Sequence, residues 1–139
     1  MIRRPPISTL FPYTTLFRSL PQSNAIWEGT RFGVDRDLSP KIRVKIIREM
    51  VVAYAEFAEM NGIEAYIGVM PIGILRSVYA RNGWPVENIG PVWIQDGVRL
   101  GAARLPVSPE ITQMIRDKTG IHYNILSSTP HPMPHIQAA

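Results

Sequence analysis

The sequence predicts an α/β fold in which a mixed sheet is flanked by helices. Three observations carry that expectation. Segments of strand and helix character alternate along the chain, Ser-Pro pairs at Ser39-Pro40 and Ser108-Pro109 mark helix starts, and Asp96-Gly97 lies between two apolar stretches as a hairpin signal. Alternation lets neighbouring strands run parallel, whereas a hairpin pairs its strands antiparallel, so the sheet must be mixed. With 139 residues, 45% of them hydrophobic, the chain suffices for one domain with a modest core.

The elements follow in order. Ala25 to Val34, AIWEGTRFGV, reads as a strand with Ile26, Glu28, Thr30 and Phe32 on one side and Trp27, Gly29, Arg31 and Gly33 on the other. Ser39-Pro40 supplies an N-cap and first-turn pair and Asn61-Gly62 a stop, which predicts a long helix between them. Ile47, Met50, Val51, Tyr54 and Ala58 recur at helical spacing and form its core-facing stripe. Ile63 to Met70, IEAYIGVM, is a short apolar strand, closed by Pro71 before a second helix through Ile74, Leu75 and Val78 that Gly83 ends. Val86 to Ile94 and Val98 to Val107 flank Gln95-Asp96-Gly97 as the hairpin. A third helix runs from Ser108-Pro109 to Gly120 with Ile111, Met114 and Ile115 on one face, and a closing strand is expected over Ile121 to Leu126. Residues 127–139 carry three prolines and no charge, and are expected to be poorly ordered. His131 and His135 lie four apart, but the prolines around them forbid the helix that would align them, so no metal site is expected.

Composition narrows the chemistry. The absence of cysteine removes disulfides, thiolate metal sites and a cysteine nucleophile, and agrees with a reducing cytosol. No apolar run is long enough to span a bilayer and no secretory signal pattern opens the chain, so a cytoplasmic protein without membrane insertion is expected. A net charge of +4 would suggest nucleic acid as partner, but the inference depends on residues 1–19. Met1 to Ser19, MIRRPPISTLFPYTTLFRS, resembles one reading frame of a sequencing adapter in which Ile7 alone departs from an expected arginine. The plain alternative is a natural basic, proline-containing leader. Without Arg3, Arg4 and Arg18 the fifteen basic residues become twelve against eleven acidic ones, and the case for nucleic acid disappears. The expected organisation is therefore an adapter-derived stretch over 1–19, the C-terminal part of a single domain over 20–126, and a tail over 127–139.

The most informative segment is Trp27 to Phe32, W-E-G-T-R-F. It sets Glu28 and Arg31 three apart, on opposite faces of a strand unless a bulge intervenes, among large apolar groups that would partly desolvate them. A structural ion pair beside a solvated residue accounts for this as simply as a reactive cluster does.

The order of blocks goes further. W-E-G-T-R-F-G-V-D, a long amphipathic helix, G-I-E-A-Y-I-G-V-M, R-N-G-W-P-V-E-N-I-G-P and L-P-V-S together resemble the C-terminal part of the LuxI-type autoinducer synthases, the acyl-homoserine-lactone synthases, over about Ala25 to Ser108. The resemblance implies a partial GCN5-type N-acetyltransferase-like fold in which Ala25 to Val34 and Ile63 to Met70 are two parallel strands that splay to admit an acyl thioester. It implies transfer of an acyl group from acyl carrier protein to S-adenosylmethionine, which serves as substrate with no tightly bound cofactor. Lactonisation then releases methylthioadenosine, giving a quorum-sensing signal. Glu28 matches the family position suited to deprotonating the substrate ammonium, directly or through water, and Arg31 the position suited to orienting a carboxylate.

On the same resemblance Thr30, Ile67 and Met70 line the acyl pocket. The second strand carries no serine or threonine, which predicts an acyl group without a 3-oxo substituent. Further family residues, an arginine, a phenylalanine, a tryptophan and two aspartates, would precede Leu20, so the chain alone is expected to lack synthase activity. Lys41, Lys45 and Arg48 share one face of the long helix, with Arg43 nearby, where positive charge opposes the helix dipole. That placement suits an acidic partner such as acyl carrier protein, and equally a solvated surface.

Two other functions compete. An acetyl-CoA-dependent N-acetyltransferase needs a glycine-rich loop for the pyrophosphate, yet the corresponding junction reads Asp35-Arg36-Asp37-Leu38-Ser39-Pro40, with no glycine and two acids. A non-catalytic interaction module of the same fold is the other.

Overall fold

A computed structural model describes residues 23–29 and 31–126. The adapter-like stretch, the proline-rich tail with His131 and His135, and Thr30 lie outside these residues. Strand β1 is Ile26–Glu28, helix α1 Pro40–Met60 and strand β2 Ala65–Pro71; an irregular helix, α2, covers 72–82. Short strands β3, Glu87–Asn88, and β4, Trp93–Gln95, lead to the long β5, Val98–Pro106, and helix α3, Pro109–Thr119.

The sheet is mixed. β2 pairs parallel with β1 through Ile26↔Ala65, Trp27↔Tyr66 and Glu28↔Ile67, and antiparallel with β5 from Ala65↔Pro106 to Pro71↔Leu100. β3 and β4 both pair antiparallel with β5, giving the order β1-β2-β5-β3 with β4 also on β5. The β2-β5 ladder is the longest in the sheet, and the helices pack around it.

Both Ser-Pro starts form as the residues dictate. Ser39 Oγ accepts from the Ile42 amide at 3.4 Å and Ser108 Oγ from the Ile111 amide at 3.2 Å, each followed by proline in the first turn. Asn61 ends α1, its side-chain amide donating to the Phe57 carbonyl at 2.8 Å. Gly83 ends α2 at φ 91°, and a Cβ there would come within 2.9 Å of the Met114 carbonyl oxygen, so both conformation and space require glycine. Asp96 at φ 50° and Gly97 at φ 76° supply the two left-handed residues of a tight hairpin turn closed by Gln95↔Val98.

The core joins Val51, Val52 and Ala55 of α1 to Leu75, Val78 and Tyr79 of α2, Trp84, Ala103 and Leu105, and Ile115 of α3. Of the stripe expected on α1, Val51 and Ala58 are fully buried while Ile47, Met50 and Tyr54 are half-buried; Val52 and Ala55 widen the buried face. Trp84 is 1% exposed, and its indole N–H is satisfied by the Pro106 carbonyl at 2.8 Å.

Four expectations need correction. The strand expected over Ala25 to Val34 is only three residues long, because the chain leaves the sheet at Gly29 and Arg31 adopts a left-handed φ of 59°. The second strand begins at Ala65 rather than Ile63 and includes Pro71. Val86 to Ile94 is not one strand but two short ones, parted at Gly90-Pro91, where proline can donate no ladder hydrogen bond. Ile121 to Leu126 is not a strand. Its amides find a carboxylate instead: Glu56 accepts from the Ile125 amide at 3.1 Å, the Leu126 amide at 2.9 Å and the Arg116 guanidinium at 2.6 Å. Arg116 in turn donates to the carbonyls of Ile121 at 3.1 Å and Tyr123 at 3.0 Å.

Glu56 and Arg116 thus form a largely buried pair that anchors residues 121–126 across α1 and α3. Removing one partner leaves the other's charge buried without compensation, at a cost of about 3 to 5 kcal/mol. We therefore expect Arg116→Ala to lower unfolding free energy by about 3 kcal/mol in urea denaturation, and a loss under about 1 kcal/mol would show the clamp to be dispensable.

Candidate active site

The site arises where β1 and β2 part. The Gly29 amide donates to the Ile67 carbonyl at 2.8 Å, and beyond that bond β1 ends while β2 continues to Pro71. Gly68 allows the close approach just before the parting, since a Cβ there would lie 2.6 Å from the Gly29 carbonyl oxygen. The departing chain turns at Arg31, whose left-handed backbone costs of order 1 kcal/mol in a residue with a side chain.

The result is a cavity of about 610 Å³ between the parted strands, α1 and α2. One end is marked by Trp27, Glu28 and Arg31, all exposed; the interior end by Tyr79 and Trp84, both buried. Between them five aromatic side chains form a closed circuit of neighbouring rings: Phe32 to Tyr54, Tyr54 to Tyr66, Tyr66 to Trp84, Trp84 to Tyr79, and Tyr79 back to Phe32, with centroid separations of 5.9 to 6.4 Å. Most meet edge to face, the arrangement that aligns ring edges with the π faces of their neighbours. Tyr66 donates to the Tyr54 carbonyl at 2.9 Å, which fixes β2 to α1 at the cavity wall.

This aromatic lining shifts phenol acidity. Burial, and then proximity to Tyr54, pushes Tyr66 up to about 12; burial, then Tyr54 and Tyr66, pushes Tyr79 up to about 12. Both hydroxyls therefore remain neutral across the physiological range.

The expected residues are placed as follows. Glu28, Arg31, Ile67 and Met70 all line the cavity, Glu28 and Arg31 at its exposed end, and neither of that pair forms an ion pair among the described residues. Thr30 lies outside the described residues. Lys41, Lys45 and Arg48 come together elsewhere, in a shallow depression of about 500 Å³ shared with Ile121 and Tyr123. At 3.6 residues per turn they occupy the side of α1 opposite the cavity-lining Tyr54 and Phe57. Arg43 is separate from them, its Nε buried. The aromatic circuit has no signature in the sequence, where Tyr54 belongs to a packing stripe and Trp84 to a motif: its members come from five places in the chain, and no spacing rule connects them. No cluster of His, Cys, Asp and Glu suited to a metal ion occurs among the described residues, nor is any helix among them long and apolar enough to cross a membrane.

Comparison with known proteins adds a context to this geometry. A family model described as autoinducer synthase matches residues 7–115. The acyl-homoserine-lactone synthase of Aeromonas hydrophila is 29% identical over 101 residues, which cover 70% of this chain and 47% of that protein. The corresponding enzyme of Aeromonas salmonicida is 28% identical over the same shares. The chain thus spans about half the length of these relatives. Among solved structures, the CoA-dependent acyl-homoserine lactone synthase MesI superposes with a TM-score of 0.69 at 23% identity, over 88% of this chain and 60% of that one. The AHL synthase LasI gives 0.62 at 21% identity, over 79% and 56%. At these identities the structural likeness speaks for the fold, an α/β arrangement with a mixed sheet.

Two outcomes test the site's construction. Gly68→Ala should force the strands apart at Gly29 and destabilise the chain by about 1 to 3 kcal/mol, whereas Gly73→Ala, with open space around its Cβ, should not; equal denaturation midpoints for the two would contradict this account. The raised phenols also make stability pH-dependent. Below about pH 10 their contribution is complete, and it declines as pH rises toward 12, because the unfolded chain loses those protons first. Phenolate absorbance should therefore show Tyr66 and Tyr79, with Tyr123 also raised by its contact with Glu49, titrating later in the folded chain than after denaturation, when all five tyrosines titrate together.

Proposed function

From the premise that this chain belongs to the autoinducer synthase family, we propose that it forms the acyl-pocket part of an acyl-homoserine-lactone synthase. The single observation that carries the reading is the cavity opened by the parting of β1 and β2, apolar inside and bearing Glu28 and Arg31 at its exposed end. That layout suits a reaction between a greasy acyl chain and a small charged substrate. It also agrees with the splayed strands of a GCN5-type acyltransferase fold.

In this reading the acyl chain occupies the aromatic interior, with its thioester beside Glu28. The S-adenosylmethionine ammonium gives a proton to Glu28, directly or through water, and the freed amine attacks the thioester carbonyl, expelling the thiol. Its carboxylate, oriented by Arg31, then displaces methylthioadenosine and closes the lactone. The exposure of both side chains leaves room for a charged substrate at the cavity's end. No tightly bound cofactor enters the scheme, and the chemistry suits a cytoplasmic enzyme supplying a diffusible quorum-sensing signal.

The acyl donor is proposed to be acyl carrier protein, received at the basic depression of Lys41, Lys45 and Arg48. Acyl-CoA is a second reading, favoured by one observation: the solved structures of MesI and BjaI are described as CoA-dependent synthases. The glycine-free, acidic junction Asp35 to Pro40 disfavours the pyrophosphate cradle of an acetyltransferase.

The test is expression of the intact reading frame containing this sequence, with S-adenosylmethionine and either donor, scored by methylthioadenosine release and by mass spectrometry of the lactone. Glu28→Gln and Arg31→Met should each lower kcat/KM by about 10²-fold or more. Soluble protein that makes no acyl-homoserine lactone from either donor would sink the proposal. If the carrier is the donor, Lys41→Glu with Lys45→Glu should raise KM for it and abolish the salt dependence of its binding.

A further inference from the structure

The aromatic circuit holds three tyrosines, and their hydroxyls are not equivalent. Tyr66 uses its own on the Tyr54 carbonyl, and the Trp84 indole N–H is taken by the Pro106 carbonyl. Tyr79 is only 6% exposed and lines the cavity; its hydroxyl pairs with no described residue, and it is not among the sealed-off unpaired polar atoms, so it stands open to the cavity. A neutral phenol that opens on an apolar cavity is a donor available to whatever fills that cavity. Tyr79 lies on the buried side of the cavity, its ring between Trp84 and Phe32, whereas Glu28 and Arg31 are exposed.

We propose that Tyr79 determines acyl specificity by donating a hydrogen bond to an oxygen on the distal part of the acyl group. Acyl donors with a hydroxyl, ether or carbonyl far from the thioester are then preferred over plain alkyl chains. The inference rests on the reading of this cavity as the acyl pocket. It does not require a serine or threonine on β2, which has neither. Discrimination follows because a chain lacking the oxygen leaves the donor desolvated and unpaired, whereas a chain that carries it restores the bond lost from water.

The probes are the pantetheine thioesters of octanoic acid and 8-hydroxyoctanoic acid, titrated against the intact protein and followed by tryptophan fluorescence. The hydroxylated thioester should bind about tenfold more tightly than the alkyl one. Tyr79→Phe should bring that ratio close to one, while Tyr66→Phe, whose hydroxyl is engaged within the protein, should keep it. Equal affinities in the unaltered protein overturn the proposal whether or not the variants fold, as does failure of both thioesters to bind. A ratio that survives in Tyr79→Phe also overturns it. Methylthioadenosine release is scored separately: discrimination without release refutes the synthase reading and supports the donor site, while release without discrimination does the reverse.

Discussion

Among the described residues the hydrogen bond from Gly29 to Ile67 is the last between β2 and the chain leaving β1, and the cavity opens beyond it. A strand pair that continued in register would fill this space with its own backbone. Here Gly68 brings the two chains into contact, and the left-handed turn at Arg31 carries one of them away. The strand edge left exposed on β2 becomes a wall rather than a ladder. Every feature of the site depends on that divergence, including the position of Glu28 as the last paired residue of β1 and of Phe32 inside the aromatic circuit.

Helix α1 connects the parted strands and serves three surroundings at once. One side gives Tyr54 and Phe57 to the cavity, the opposite side gathers Lys41, Lys45 and Arg48, and Glu56 reaches toward α3 and residues 121–126. The Glu56 clamp also shapes the basic depression, because Ile121 and Tyr123 belong both to the segment that it anchors and to the depression's lining. Burial of an ion pair is justified here by geometry: backbone amides and carbonyls that a strand would have paired with one another are paired with side chains instead.

Local chemistry made most elements legible. Serine and proline set both helix starts, Asn61-Gly62 and Gly83 the stops, and Asp96-Gly97 the hairpin, because each acts through its own backbone conformation or nearest neighbours. What the sequence hid was long-range. AIWEGTRFGV has a strand's composition, but its length in the sheet is decided by where Gly29 meets Ile67, thirty-odd positions away. Residues 121–126 have β character and no partner strand; a carboxylate on α1 wins their amides. The Glu28 and Arg31 motif was visible through resemblance, whereas Tyr79 was not, since only folding brings it to Phe32 and Trp84.

The two long walls of the cavity differ in kind. β2 is held to β5 by a continuous ladder from Ala65 to Pro71. Opposite it, α2 passes from a short α-helical start through a π-helical stretch at Leu75–Tyr79 to a 3-10 turn at Ala80–Asn82. Such changes of pitch trade hydrogen-bond quality for side-chain placement, and they bring Tyr79 inward at the cost of stiffness. The cavity therefore has one regular jaw and one irregular one. Whatever occupies the cavity meets the sheet as a wall of regular ladder on one side and, on the other, a helix whose pitch changes along its length.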